Sequence, residues 1–235
     1  MILAGGLGTR MQTITGPLPK ALVPVGGRPF LHHQLSWLAG QHVTSVTMCI
    51  GHLGQAVRSY VGDGGDWGLS VTYADEGPHL RGTAGALRLA LDQGTLPPTF
   101  IVLYGDSYLP VDLAPVISAF ERSGCPALMT VFRNEGRWEN SNVRYRDERV
   151  LLYQKSHPDP AGSGLDFVDY GLSVLRRDVV AERVPRDRTA DLAEIFHQLS
   201  VEGLLGGHEV KERFFEVGSP SGLRDLEIHL SGPRQ

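Results

Sequence analysis

The sequence predicts an α/β fold around a mixed, mostly parallel sheet, and three observations carry that expectation. Short apolar runs alternate with helical patterns through about residue 133, the signature of βαβ units. From about residue 134 the grain changes to short strand-like stretches separated by turns. The chain has 235 residues, 41% hydrophobic and 20% charged, which suits one large domain with a substantial core. Within it, about 1–133 forms one part and about 134–235 a second part with the closing elements.

Residues 1–4 read as a strand that runs into Gly5-Gly6, and 29–40 as a helix with Leu31, Leu35 and Leu38 on one face. Val43 to Ile50 reads as a buried strand and Leu53 to Val61 as a helix stopped by Gly62-Asp63-Gly64-Gly65. Leu69 to Ala74 is a strand, Thr83 to Leu91 a helix, and Thr99 to Tyr104 a strand ending in Gly105-Asp106. Asp112 to Arg122 is helical and Ala127 to Phe132 is a strand. Asn142 to Arg146 and Arg149 to Lys155 are short strands around a turn at Asp147-Glu148. A Pro/Gly/Ser-rich loop over 156–165 precedes the strand Phe167 to Leu175. A helix over roughly 190–202, a strand over 208–217 and a helix over 220–230 follow. Ser219-Pro220 opens that last helix as a hydroxyl cap before proline at the first helical position.

Composition excludes several classes. A formal charge of −4 argues against general nucleic-acid binding, which needs a basic face. No apolar run approaches the ~20 residues that span a bilayer, and Met1 leads straight into the glycine loop without a signal-peptide pattern. A cytoplasmic protein is expected, a monomer or homodimer. The short first strand is compatible with a start further upstream. Cys49 and Cys125, with no CxxC, read as reduced packing residues. His32, His33 and His52 show no metal-ligand spacing.

The chemistry is concentrated in Leu3-Ala4-Gly5-Gly6-Leu7-Gly8-Thr9-Arg10 and in Pro19-Lys20. Glycines allow consecutive backbone N–H groups to converge on phosphate oxygens, and Arg10 and Lys20 add charge-assisted bonds. A Rossmann fingerprint needs glycine where Met11 stands and an acidic residue after the second strand, and neither is present. A Walker A loop needs Gly-Lys-Ser/Thr, which the chain lacks. The stretch resembles instead the GGxGTR…PK signature of the sugar-1-phosphate nucleotidyltransferases, and an ordered set of further matches extends the resemblance over the whole chain.

That resemblance implies a Rossmann-like nucleotidyltransferase domain with a small sugar-binding β region in its second part. It implies Mg²⁺ as cofactor, and an NTP and a sugar 1-phosphate as partners, with no nucleic acid and no membrane. Arg10, Lys20 and Asp106 would be catalytic. Leu3, Ala4, Gly5, Gly6, Gly8, Thr9, Glu76, Gly82 and Thr83 would bind nucleotide, the last two within a GTAGAL element. Asn142, Lys155, Asp169 and Gly171 would bind the sugar phosphate. Asp106 would hold the metal with Glu216, which stands where relatives more often carry aspartate, the alternative for Glu216 being a surface salt bridge. Thr83 also reads as a helix cap, Asn142 equally as a turn residue, and Lys155 as a solvated strand-end lysine. Glu76, an acceptor for guanine N1–H and N2–H, favours GTP, with heptose or mannose 1-phosphate as the sugar. A uridylyltransferase acting on N-acetylmuramate or glucose phosphates is the close alternative. A non-catalytic nucleotide-sugar sensor is the alternative from another class.

Overall fold

The computed structural model describes residues 1–6, 18–134, 140–156, 164–186 and 188–232. In chain order the strands are β1 (Ile2–Leu3), β2 (Pro24–Val25), β3 (Arg28–Pro29), β4 (Ser45–Ile50), β5 (Ser70–Asp75), β6 (Thr99–Tyr104), β7 (Ser107–Tyr108), β8 (Ala127–Arg133), β9 (Val143–Arg146), β10 (Arg149–Tyr153), β11 (Phe167–Arg176), β12 (Leu205–Val210) and β13 (Phe215–Glu216). The helices are α1 (Phe30–Gly40), α2 (Gly54–Val61), α3 (Gly82–Asp92), α4 (Leu113–Ser123), α5 (Arg177–Arg183), α6 (Leu192–Val201) and α7 (Pro220–Ser231). The chain divides into two compact units, Met1–Leu80 with Leu103–Pro110 and Phe214–Gln235, and Arg81–Val102 with Val111–Arg213.

In the first unit β1 is the axis. It pairs in parallel with β4 (Ile2↔Met48, Leu3↔Cys49) and with the end of β6 (Ile2↔Leu103, Leu3↔Tyr104). β4 pairs in parallel with β5 from Ser45↔Ser70 to Ile50↔Asp75. After Ser45 every residue of β4 is buried, as expected of a parallel strand covered on both faces. β1, β4, β5 and β6 point the same way, so Ala4, Gly51, Glu76 and Gly105 leave the sheet at one end. A smaller cluster of Val25, Phe30, Phe215, Val217 and Leu226 fastens β13 and α7, and the Phe215 ring stacks on His229 at 4.5 Å. The Ser219 hydroxyl accepts from the Gly222 N–H at 3.1 Å and Pro220 takes the first helical position, as the sequence predicts.

In the second unit β8 is central, antiparallel to β11 and parallel to β12. β10 pairs antiparallel with β12 and with β9. β9 in turn meets β11 at Val143↔Phe167, so these five strands return on themselves. Arg88 of α3 is buried, and its guanidinium donates to the carbonyls of Ala181 and Val184 at 3.1 and 3.0 Å while also meeting Asp92. A buried charge needs such partners, and these tie α3 to the end of α5.

The expected α/β class with a mixed sheet is therefore present, and most elements fall within a residue or two of their expected ends. The strand expected over 208–217 is two strands, β12 and β13, because the polar run Lys211-Glu212-Arg213 breaks it. The strand expected to reach Lys155 stops at Tyr153, and Thr83 does not cap its own helix. Helix α5 and the two-residue strands β2, β3 and β7 were not anticipated. No described helix is long and apolar enough to cross a membrane.

Leu226 is fully buried at the centre of the cluster that holds β13. Leu226→Ala is expected to cost ~2–5 kcal/mol of folding stability, measured by urea unfolding, against a much smaller change for Ile228→Ala on the exposed side of the same helix.

Candidate functional site

The first unit assembles its group at the carboxyl ends of the parallel strands, where open α/β sheets bind ligands. The Gly105 N–H donates to the Leu3 carbonyl at 2.9 Å and the Ala4 N–H to the Cys49 carbonyl at 2.8 Å. A Cβ on Gly105 would lie 2.9 Å from both the Leu3 carbonyl oxygen and the Ala4 Cβ, so only glycine permits β1 and β6 to end this close together. Glu76 follows β5, its N–H donating to Ile50, and its Oε1 sits 2.7 Å from the point where a side chain on Gly5 would begin. Gly6 is exposed beside it. Leu3, Ala4, Gly5, Gly6 and Glu76 thus lie together. Gly8, Thr9 and Arg10 lie outside the described residues.

Lys20 opens a 3₁₀ turn over Lys20–Leu22 and reaches Asp106, Nζ to Oδ2 at 2.9 Å, both side chains partly buried. Asp106 leads into β7, which pairs with β13 so that Glu216 faces Ser107, while the Val217 N–H donates to the Asp106 carbonyl at 2.9 Å. Lys20 Nζ and Glu216 Oε2 both approach Gly218, at 3.6 and 3.7 Å from where its side chain would begin. Lys20, Asp106 and Glu216, separated by 86 and 110 residues (106 − 20 and 216 − 106), therefore form one group. Among the described residues no three His, Cys, Asp or Glu cluster as a protein-only metal cage. Two carboxylates are what a Mg²⁺ shared with phosphates ordinarily takes.

The second unit holds the other expected residues in two connected sets. In one, Asp191 is the node, a residue the sequence reading passed over. Its Oδ2 meets Lys155 Nζ at 2.5 Å, and its Oδ1 accepts from the Thr83 hydroxyl at 2.9 Å and from the Ala193 N–H at 3.0 Å. Thr83 in turn accepts from the Leu192 N–H at 2.7 Å, so it caps α6 rather than α3. Gly82 has φ +75 and a Cβ there would lie 2.5 Å from the Ala190 carbonyl, which the Ala84 and Gly85 N–H groups share. In the other set, the Asn142 Oδ1 accepts from the Asp169 N–H and the Asp169 Oδ1 from the Gly171 N–H, each at 2.9 Å. Gly171 lies at a register shift between Asp169 and Ser173 of β11, which turns this stretch out of the regular ladder. Asn142 immediately precedes β9 and uses its side chain to fix that bulge.

Two ionisable groups register these surroundings. Burial pushes the Tyr153 phenol up, and the carboxylates of Asp169 and Asp191 push it further, so Tyr153 feels both sets. Burial would raise the Asp191 carboxyl, but the Lys155 ammonium, the Ala193 N–H and the Thr83 hydroxyl outweigh it and hold the group below its ordinary 3.8.

A lysine paired with Asp106 near Glu216 at the strand ends and a second lysine–carboxylate set define an α/β protein fitted to handle polyanions. The chain belongs to the nucleotidyl transferase family, whose model matches residues 1–141, and the expected resemblance to sugar-1-phosphate nucleotidyltransferases is met. It is 33% identical over 235 residues to the D-glycero-alpha-D-manno-heptose 1-phosphate guanylyltransferase of Aneurinibacillus thermoaerophilus, covering 98% of this chain and 97% of that one. It is 28% identical over 225 residues to the mannose-1-phosphate guanylyltransferase of Mycobacterium tuberculosis, covering 94% of this chain and 61% of that one. It is 33% identical over 229 residues to the low-salt glycan biosynthesis nucleotidyltransferase Agl11 of Haloferax volcanii, covering 95% and 63%. The chain thus spans less than two thirds of the latter two. In fold it is similar to HddC from Yersinia pseudotuberculosis complexed with GMP-PN, with TM-score 0.78, 20% identity and 98% of each chain covered.

Because the Asp191 carboxyl is depressed on folding, its charge stabilises the fold above the ordinary carboxyl range, and that contribution fades as pH falls through the folded value. Asp191→Asn keeps a capping oxygen and loses the charge. It is expected to melt a few degrees below wild type at pH 7, with the gap closing below about pH 4, as thermal scans across pH will report.

Proposed function

We propose that this chain transfers a nucleotidyl group from a nucleoside triphosphate to a sugar 1-phosphate, giving a nucleoside-diphosphate sugar and pyrophosphate. The convergence of Lys20, Asp106 and Glu216 where β1 and β6 end carries the proposal. In this reaction an oxygen of the sugar phosphate bonds to the α-phosphorus as the bond to the bridging oxygen breaks and pyrophosphate departs with the electron pair. Catalysis then consists of aligning two polyanions and neutralising charge that shifts to the leaving group.

Residues of the first unit take the triphosphate. Backbone N–H groups of Gly5 and Gly6 and of Gly8 and Thr9, with the Lys20 ammonium and Arg10, bind its oxygens. The carboxylates of Asp106, just before β7, and of Glu216 on its partner β13 are hard oxygen donors and suit Mg²⁺, which would supply charge neutralisation at the phosphates when bound. Glu76, beside Gly5, accepts from guanine N1–H and N2–H; in the second unit Gly82 and Thr83 belong to the nucleotide-binding set. In the second unit Lys155 binds the sugar phosphate, and Asn142, Asp169 and Gly171 bind sugar hydroxyls through the group organised at the β11 bulge. The favoured pair is GTP with D-glycero-D-manno-heptose 1-phosphate or mannose 1-phosphate, in keeping with one relative that matches the chain over nearly its whole length. Dependence on cellular nucleoside triphosphates fits a cytoplasmic enzyme.

A pyrophosphate-release screen of the four NTPs against heptose, mannose, glucose and N-acetylmuramate 1-phosphates tests this. Release is expected with GTP and heptose or mannose 1-phosphate. Turnover with UTP would move the assignment to a uridylyltransferase, and binding of nucleotide sugars with no turnover of any pair would make the protein a non-catalytic sensor.

Asp106→Asn is expected to remove several kcal/mol of transition-state stabilisation, roughly 100-fold or more in kcat, with little change in melting temperature. Glu216→Gln should also fall strongly while Glu216→Asp keeps appreciable activity. Steady-state kinetics over a Mg²⁺ titration are the measurement, and unchanged Mg²⁺ dependence in Glu216→Gln would take that residue out of the metal site.

A further inference from the structure

Gln34 has no part in the expected chemistry, yet it is one of the most completely buried polar side chains, 1% exposed, on the inner face of α1. Its Nε2 donates both hydrogens to backbone carbonyls, Tyr104 at 2.9 Å and Ser107 at 3.0 Å. Those two carbonyls bracket Gly105-Asp106. The amide orientation is decided by chemistry: rotated by half a turn, its oxygen would face two other acceptors. The Gln34 Oε1 is buried and has no hydrogen-bond partner among the described residues. An unpaired acceptor in the interior costs folding stability, so the amide is poorly suited to stability alone and well suited to gripping a turn.

The consequences extend past Asp106. Ser107 pairs with Glu216 across β7 and β13, so one side chain sets the turn that bears the first carboxylate and the strand that registers the second. The same helix begins with the Phe30 N–H donating to Val23 at 2.8 Å, directly after the turn that carries Lys20. Helix α1 is thus a common frame for all three charged groups.

We propose that Gln34 is the positioning residue that holds the Asp106 and Glu216 carboxylates in the spacing needed to bind Mg²⁺ against a triphosphate. This rests on the reading of those carboxylates given above. Gln34 touches no substrate in this scheme and acts through the backbone of Tyr104 and Ser107.

The test uses the full chain carrying Gln34→Met, which keeps the length of the side chain and removes both donors. Three quantities are compared with wild type: the melting temperature, Mg²⁺ affinity by calorimetry in the presence of a non-reacting GTP analogue, and steady-state kinetics. The expected result is a folded protein whose Mg²⁺ affinity and kcat each fall by roughly 10–100-fold, the range for groups that orient metal ligands. The KM for sugar 1-phosphate should stay within about twofold, since no contact to that substrate changes. A lower melting temperature with wild-type Mg²⁺ affinity and kcat would make Gln34 a purely structural residue and overturn the proposal. If Gln34→Met does not fold, Gln34→Glu, which keeps the shape and can donate at most one hydrogen, is put through the same titration with the same criteria. Asp106→Asn is run alongside. Wild-type Mg²⁺ affinity in that variant would overturn the carboxylate assignment and this proposal together, whereas wild-type behaviour of the Gln34 variant alone would overturn only the latter.

Discussion

The first unit depends on an approach of two strand ends that a single methyl group would prevent. Gly105 donates to the Leu3 carbonyl at 2.9 Å with the Ala4 Cβ equally close to the place where its own side chain would be. That contact seats the end of β6 against β1, which is only two residues long and needs both neighbours to exist as a strand. Asp106 is the next residue, so its position follows from the same contact. The Val217 N–H then bonds to the Asp106 carbonyl and brings Glu216 alongside. A chain of backbone hydrogen bonds, Leu3 to Gly105 and Asp106 to Val217, therefore carries the geometry from the first residues of the sequence nearly to its end. Side-chain charge is added last, by Lys20.

The second unit reaches a comparable result by a different device. There a carboxylate, Asp191, occupies the start of α6 and accepts from the Ala193 N–H, from Thr83 and from Lys155. Capping a helix is useful work for any aspartate, worth ~1 kcal/mol. This one spends only one oxygen on the cap and keeps the other for a lysine. The GTAGAL element is held against the same segment through the Ala190 carbonyl, at a contact that requires Gly82. Thr83 and Lys155 thus share one anchoring carboxylate inside a single unit.

What could be read in the sequence was whatever has a local signal. The strand at Thr99 to Tyr104 and the cap at Ser219-Pro220 came out as expected because periodicity and cap chemistry lie within a few adjacent residues. The two-residue strands β7 and β13 have no periodicity to detect, and their pairing, which brings Glu216 beside Asp106, is visible only in three dimensions. Thr83 was read as a cap from its place in the chain, and the helix it serves starts 109 residues later. Gln34 and Asp191 escaped notice for a related reason. A glutamine on an apolar helix face and an aspartate before a helix look ordinary, and their partners lie 70 and 36 residues away. Arg10, Gly8 and Thr9, the most specific part of the sequence motif, are outside the described residues.

The two lysine pairs differ in burial. Lys155 and Asp191 are 61% and 39% exposed, and Lys20 and Asp106 are 17% and 33% exposed. Exposed ion pairs contribute about 0–1 kcal/mol, because water screens the attraction and both side chains lose freedom. The Lys155–Asp191 pair, the more exposed of the two, therefore does little to hold the fold, in contrast to Arg88, whose buried charge meets two backbone carbonyls and an aspartate. A lysine resting on a carboxylate at so small a gain can exchange it for another oxyanion without unsettling its strand or turn. Phosphate oxygens present the same acceptor chemistry with more charge. In the proposed reaction Lys155 would leave Asp191 for the sugar phosphate, and Asp191 would keep its cap and its bond to Thr83. Lys20 would turn to the triphosphate and release the Asp106 carboxylate to the metal. The two ion pairs then serve as placeholders that keep each cation at its post.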